Sequence, residues 1–133
     1  TDRFEAASMG AAVTNLISMT GTADIPDWMV AEMGGEIWNN YETYKELSPL
    51  YRVENVTTPT QILHGTKDRR VPTSQGREFY RALKRRDVAT EFVLYPRSAH
   101  SPNEPKLLLD ITPRTIDWFD EKLGRDQEAS DSE

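Results

Sequence analysis

The alternation of short apolar runs with longer amphipathic segments over residues 60–123 constrains this chain more than any other feature. Thr60-Gln61-Ile62-Leu63-His64 is one such run, closed by Gly65, and Thr90-Glu91-Phe92-Val93-Leu94-Tyr95 is a second, followed by Pro96. Both have the length and composition of strands. Between them, a segment opened by Thr73 or Ser74 and running to about Arg86 sets Phe79, Ala82 and Leu83 on one helical stripe. A last helical region carries Leu107, Leu108, Ile111, Ile116, Phe119 and Leu123 and stops at Gly124. Strand, helix, strand, helix is the pattern of a parallel sheet, because parallel neighbours need a crossover long enough to hold a helix. Pro113 lies inside the last region and lacks the N–H that a helix interior needs. This predicts a kink there, or two helices with Thr112 capping the second.

Upstream, Phe4-Glu5-Ala6-Ala7-Ser8 reads as a short strand. Residues 11–20 are ambiguous, with Val13, Leu16, Ile17 and Met19 on one helical face. Pro26 to Met33 reads as a helix, with proline in its first turn and Gly34-Gly35 ending it. Asn39 or Asn40 caps a further helix from Tyr41 to Leu47, stopped before Pro49. Tyr51 to Pro59 reads as a loop. The predicted fold class is therefore α/β, with about three parallel strands and flanking helices. That is few strands for a sheet covered on both faces, so the sheet reads as part of a larger one. Residues 1–124 form this part, and 125–133 are an acidic, small and polar tail that reads as disordered.

At 133 residues the chain has room for one domain at most. It holds no cysteine, which excludes disulfides and thiolate metal sites. Its two histidines, His64 and His100, cannot by themselves build the usual zinc site, and no cofactor is implied. No apolar run approaches the roughly 20 residues of a membrane span, and no signal peptide is evident, so the expected location is cytoplasmic with no membrane partner. The net charge of −6 is uneven: residues 51–100 are net basic between two acidic arms. Their arginines, Arg69 to Arg86, read as a solvated helix face. No aromatic platform accompanies them, so nucleic acid is not an expected partner.

The segment richest in chemistry is Ile62-Leu63-His64-Gly65-Thr66-Lys67-Asp68-Arg69-Arg70-Val71-Pro72. An apolar strand runs into a glycine turn and presents Asp68 just past its C-terminal end, the edge where open parallel sheets place their sites. His100 lies in the loop past the next strand. Neighbouring parallel strands bring the two together, so that a carboxylate can fix the tautomer of an imidazole and stabilise its cation. The chain order acid then base suits the Ser…Asp…His order of nucleophile hydrolases. His64 lies within the strand and reads as structural. Ala6-Ala7-Ser8-Met9-Gly10 imitates a nucleophile elbow, but residues 11–59 lack the strand such an elbow requires, and Ser8 reads as a decoy.

On these residues the chain resembles the catalytic domain of the prolyl oligopeptidase family of serine peptidases, in its C-terminal part. It is most similar to the acylaminoacyl-peptidase and dipeptidyl-aminopeptidase branch. The stretches that carry the resemblance are TDRFEAAS, VTNLISMTGTADIPDW, ELSPLYRVENVTTPTQILHGTKDRRVP, SQGREFYRALKRRDVATEFVLYP and DWFDEKL. HGTKDRRVP is the most specific. The resemblance implies a partial α/β-hydrolase fold, with Asp68 as triad acid and His100 as triad base. It further implies that Val13, Leu16, Met19 and Val71 line the pocket for the residue before the scissile bond, and that Arg70 reaches a substrate carbonyl or carboxylate. Ser101 stands where the family often has glycine after the histidine. The family's nucleophilic serine lies on a Gly-x-Ser-x-Gly elbow before the stretch that matches Thr1 onward. The expectation is thus a fragment with acid and base, without nucleophile or oxyanion donors, inactive alone.

The full enzyme would cleave peptide substrates of the acyl-aminoacyl or dipeptidyl type. Two other functions compete: a stand-alone, non-catalytic assembly module with half a hydrolase fold, and part of an esterase for small esters. The strand edge at Phe4–Ser8 is expected to pair with a second copy, giving a homodimer, or with a separate N-terminal fragment.

Overall fold

A computed structural model describes residues 3–124; the acidic stretch 125–133 lies outside the described residues. Three parallel strands, β1 (Ala7–Gly10), β2 (Thr60–Gly65) and β3 (Thr90–Tyr95), form one sheet in the order β1-β2-β3. Five helices accompany them: α1 (Leu16–Met19), α2 (Pro26–Met33), α3 (Ile37–Glu46), α4 (Ser74–Arg85) and α5 (Pro105–Leu123). A 3-10 helix spans Pro49–Asn55. Among the described residues no helix is long and apolar enough to cross a membrane.

The sheet is sorted by face. Met9, Ile62 and Phe92 stand in register on the three strands and pack under α4, where Ile62, Phe79, Leu83 and Val88 are buried. A fully buried side chain of this size contributes about 1.5–3 kcal/mol. The next register row is polar: the Ser8 hydroxyl donates to Gln61 Oε1 at 2.9 Å, and Gln61 Nε2 donates to Glu91 Oε2 at 2.9 Å. That row lies under α5, where the Arg114 guanidinium meets Glu91 at 3.3 Å. Every residue of β2 is buried, as expected of a strand with a helix on each face. A second cluster of Leu16, Met19, Met29, Tyr44 and Val71 joins α1, α2 and α3 to the loop after β2.

Several boundaries differ from the expected ones. The first strand is Ala7–Gly10 rather than Phe4–Ser8, because the ladder begins where Ala7 N–H reaches Pro59 O at 2.9 Å; Phe4 is 62% exposed. The third helix starts at Ile37, before Tyr41. Asn40 leaves helical geometry inside it (φ −137°, ψ 32°) and accepts a bond from the Thr43 hydroxyl at 2.7 Å. Glu36 stands at the start of the helix without a side-chain cap, so neither Asn39 nor Asn40 caps it. The segment from Tyr51 is partly 3-10 helix. The α5 helix is continuous through Pro113, with no second helix at Thr112. Pro113 and Leu109, four residues before it, both lie on the exposed side, where water can take the carbonyl that proline leaves without a donor. The buried anchor of α5 is Trp118, whose indole N–H donates to Ala7 O at 3.0 Å. Leu108, Ile116 and Leu123 of the expected stripe are exposed.

Candidate active site

Two loops meet beyond the C-terminal ends of β2 and β3, and each has a local reason for its path. The first leaves β2 at Gly65. A Cβ on Gly65 would lie 2.3 Å from Ala99 O and 2.5 Å from Ser98 O, so the backbone of the second loop crosses directly over it. Its φ is not in the left-handed region; glycine is required here for close approach. The Thr73 hydroxyl, expected to cap α4, instead donates to Gly65 O at 2.7 Å. The loops are tied further by Thr66 N–H to Tyr95 O at 3.0 Å and Lys67 N–H to Ser98 O at 2.9 Å. In the second loop Arg97 is left-handed (φ 64°), an uncommon state for a residue with a Cβ. Its N–H donates to Thr66 Oγ1, and its guanidinium grips the Glu104 carboxylate through two nitrogens at 3.1 and 2.8 Å. That bond holds the Glu104 carboxyl below its usual range.

The meeting point is Asp68 with His100. Asp68 Oδ1 accepts from the backbone N–H groups of Arg70 and Val71, both at 2.9 Å. Asp68 Oδ2 lies 2.9 Å from His100 Nδ1. A carboxylate accepts, so the proton of this bond sits on Nδ1 and Nε2 carries the lone pair. The Asp68 side chain is wholly buried; three N–H donors compensate the loss of water. The His100 side chain is 47% exposed, which leaves its other nitrogen open to an incoming group. Beside it lies a cleft of about 210 Å³ lined by Gly10, Ala11, Leu63, Tyr95, Pro102 and Ile111 among others. The arrangement can accept a proton at an oriented imidazole and stabilise the cation that forms.

The remaining residues singled out in the sequence are distributed around this pair. Leu16, Met19 and Val71 are buried together with Met29 and Tyr44, and Val13 packs against them; none lines the cleft beside His100. Arg70 Nε donates to Asp24 Oδ1 at 2.6 Å, so this side chain is engaged with a neighbouring loop, and that bond raises the guanidinium pKa. Ser8 sits within β1 with its hydroxyl on Gln61, whereas Asp68 and His100 lie beyond the strand ends. Among the described residues no group of three or more His, Asp or Glu side chains could hold a metal ion.

Sequence reasoning missed Gln75. Its Oε1 accepts from Thr14 N–H (3.0 Å) and Asn15 N–H (2.7 Å), and its Nε2 donates to Asn15 O (3.1 Å) and Ser18 Oγ (2.9 Å). This one side chain fixes the loop between β1 and α1 against the start of α4. A glutamine in a first helical turn has no local mark that distinguishes it from a surface residue.

Comparison with known proteins adds a second line of evidence. Residues 1–126 match the model of the prolyl oligopeptidase family. The acylamino-acid-releasing enzyme of Mus musculus is 40% identical over 119 residues, which are 84% of this chain and 16% of that protein. The enzyme of the same name from Arabidopsis thaliana is 34% identical over 126 residues, 89% of this chain and 16% of its own length. The chain therefore spans about a sixth of the length of these curated relatives. Among solved structures, Pyrococcus horikoshii acylaminoacyl peptidase superposes with a TM-score of 0.79 at 26% identity, covering 92% of this chain and 21% of that one. A Mycobacterium tuberculosis puromycin-hydrolyzing peptidase has a TM-score of 0.85 at 21% identity, over 93% and 19% of the two chains, a likeness of fold.

Proposed function

Since the chain belongs to the prolyl oligopeptidase family, we propose that Asp68 and His100 are the acid and base of a serine-peptidase triad that acts on acyl-aminoacyl or dipeptidyl substrates. The observation that carries this reading is the bond of 2.9 Å from His100 Nδ1 to a buried carboxylate already oriented by two backbone amides. The serine hydroxyl gives its proton to His100 Nε2 as its oxygen attacks the scissile carbonyl. Asp68 keeps the ring in the receptive tautomer and stabilises the imidazolium. The imidazolium then protonates the leaving amine, and water repeats the cycle on the acyl-enzyme. Of the residues expected to wall the pocket before the scissile bond, the partly buried Val13 is the one placed to meet a substrate. Leu16, Met19 and Val71 back it from the buried cluster, and Arg70 stands beside them held by Asp24.

The 133 residues contain no Gly-x-Ser-x-Gly elbow. The chain by itself then supplies neither the nucleophile nor the oxyanion donor that follows it, and it is inactive alone. The edge of β1, which no strand covers among the described residues, is the place where further strands, from a second copy or a separate N-terminal piece, pair with this sheet.

The test is hydrolysis of N-acyl-amino-acid anilides, dipeptidyl anilides and simple p-nitrophenyl esters. It compares this chain alone with a polypeptide that joins it to a Gly-x-Ser-x-Gly elbow segment. Anilide cleavage by the joined polypeptide, abolished by His100→Ala, supports the reading. Cleavage of esters alone turns it into an esterase. Hydrolysis by the 133-residue chain that disappears in Ser8→Ala overturns it.

A further inference from the structure

One buried imidazole has no part in the chemistry above. His64 is the penultimate residue of β2, one before the glycine over which the two loops cross, and its side chain is wholly inaccessible to solvent. Its Nε2 lies 2.8 Å from Val71 O and 3.6 Å from Asp68 Oδ2. A carbonyl only accepts, so Nε2 carries the proton and Nδ1 is bare; Nδ1 is buried with no hydrogen-bond partner.

We infer that His64 is a positioning residue for Asp68: by holding the Val71 carbonyl it sets the backbone amides that aim the Asp68 carboxylate at His100. The inference rests on the assignment of Asp68 and His100 just made. Val71 is held on both sides, its N–H on Asp68 Oδ1 at 2.9 Å and its C=O on His64 at 2.8 Å. The peptide between Val71 and Pro72 has no N–H, so the carbonyl is its only polar handle, and His64 occupies it. Without that bond the turn from Asp68 to Val71 is free to rotate its amides away from Oδ1. The carboxylate then loses the donors that leave Oδ2 pointing at the imidazole. The chain of contacts runs His64 Nε2–H to Val71 O, Val71 N–H to Asp68 Oδ1, and His100 Nδ1–H to Asp68 Oδ2.

The far side of the ring is equally constrained. A Cβ on Gly76, in the first turn of α4, would lie 2.8 Å from His64 Nδ1. The helix therefore passes against the bare nitrogen with no room for a side chain, and the ring is wedged between α4 and the carbonyl it holds. A residue needed only to fill this space could be any apolar side chain of similar volume. The exchange of a buried, unpartnered nitrogen for one well-aimed N–H is accounted for by the task of holding Val71.

The reporter is the Nδ1–H proton of His100, followed by proton–nitrogen NMR on the labelled 133-residue chain, with circular dichroism to confirm folding. His64→Gln keeps a donor at the end of a side chain of similar reach and is expected to retain the His100 Nδ1–H signal. His64→Phe fills the space without a donor and is expected to lose that signal or exchange it with water at least tenfold faster. A folded His64→Phe chain with an unchanged His100 signal overturns the proposal. If His64→Phe does not fold, the wild-type chain decides: a scalar coupling from His64 Nε2 to the Val71 carbonyl supports it, and a His64 proton on Nδ1 overturns it. Asp68→Asn separates the two readings. If that substitution leaves the His100 signal intact, the Asp68–His100 pairing itself is wrong, whatever His64 does.

Discussion

At Gly65 a single hydrogen in place of a methyl group lets the loop bearing His100 lie across the loop bearing Asp68. Gly65→Ala forces the carbonyls of Ser98 and Ala99 outward, because they are backbone atoms that cannot step aside by a rotamer change. The expected cost is about 1–3 kcal/mol, as for other overpacked sites. Urea denaturation measures it, and loss of the His100 Nδ1–H resonance shows the site opening. Asp68→Asn is nearly isosteric but offers an NH₂ group where the imidazole needs an acceptor. In a polypeptide with the elbow, kcat is expected to fall by about 10³–10⁴ with a smaller change in KM, as when the acid of a triad is neutralised. The meeting of Asp68 with His100 was legible in the sequence, since a residue just past each of two neighbouring parallel strands must come close. The hold of His64 on Val71, the hub at Gln75 and the engagement of Arg70 with Asp24 were not. Each joins residues whose identities carry no local sign of their partner.

Among the elements, α5 departs furthest from expectation. Proline in a helix interior removes one bond and crowds the preceding turn, yet α5 runs unbroken from Pro105 to Leu123. What holds it lies on its inner face: Trp118 on Ala7 O, and Arg114 between Asp110 and Glu91. Pro113→Ala restores the missing N–H without touching those contacts. It is expected to stabilise the chain by about 1–2 kcal/mol, since a helix-interior proline costs about 3 kcal/mol, part of which is regained through the stiffer unfolded chain. Thermal melting of the two proteins checks this. The same helix sets a pH dependence through Tyr95, the last residue of β3. Burial, then its bond to Asp110, pushes the phenol up to about 12. A folded pKa above the unfolded value of about 10 means that the folded state holds the proton more tightly. Its contribution is complete below pH 10 and is lost as pH rises from about 10 to 12. Ultraviolet titration of tyrosinate should show a late-ionising component that is lost in Tyr95→Phe.

At the scale of the molecule, the described residues form a sheet covered on both faces and bounded by two edges. On the β1 side no strand follows among the described residues. Leu108, Leu109 and Ile116 of α5, and Phe4 before β1, are exposed apolar side chains. A parallel sheet with such an edge is a template for another strand. We expect the 133-residue chain to self-associate in a concentration-dependent manner through β1, and sedimentation velocity across a hundredfold range of concentration measures this. A single monomeric species throughout would remove the dimer and leave a separate N-terminal piece as the partner for that edge.

What the sequence determined by itself was the succession of parallel strands and crossover helices from Thr60 onward, the turn at Gly65, and the placing of an aspartate and a histidine at one sheet edge. These follow from periods of 2 and 3.6 residues and from glycine and proline, which act over a few positions. Only the tertiary structure decided where β1 begins, that Pro113 sits inside one helix, which side chains of α5 are buried, and how the Asp68 carboxylate is held. Those outcomes rest on single contacts between residues distant in the chain, such as Ala7 with Trp118 and Gly65 with Ala99, or on the fold of a loop, as in His64 with Val71. Their energies exceed local preference only once the sheet has brought the partners together.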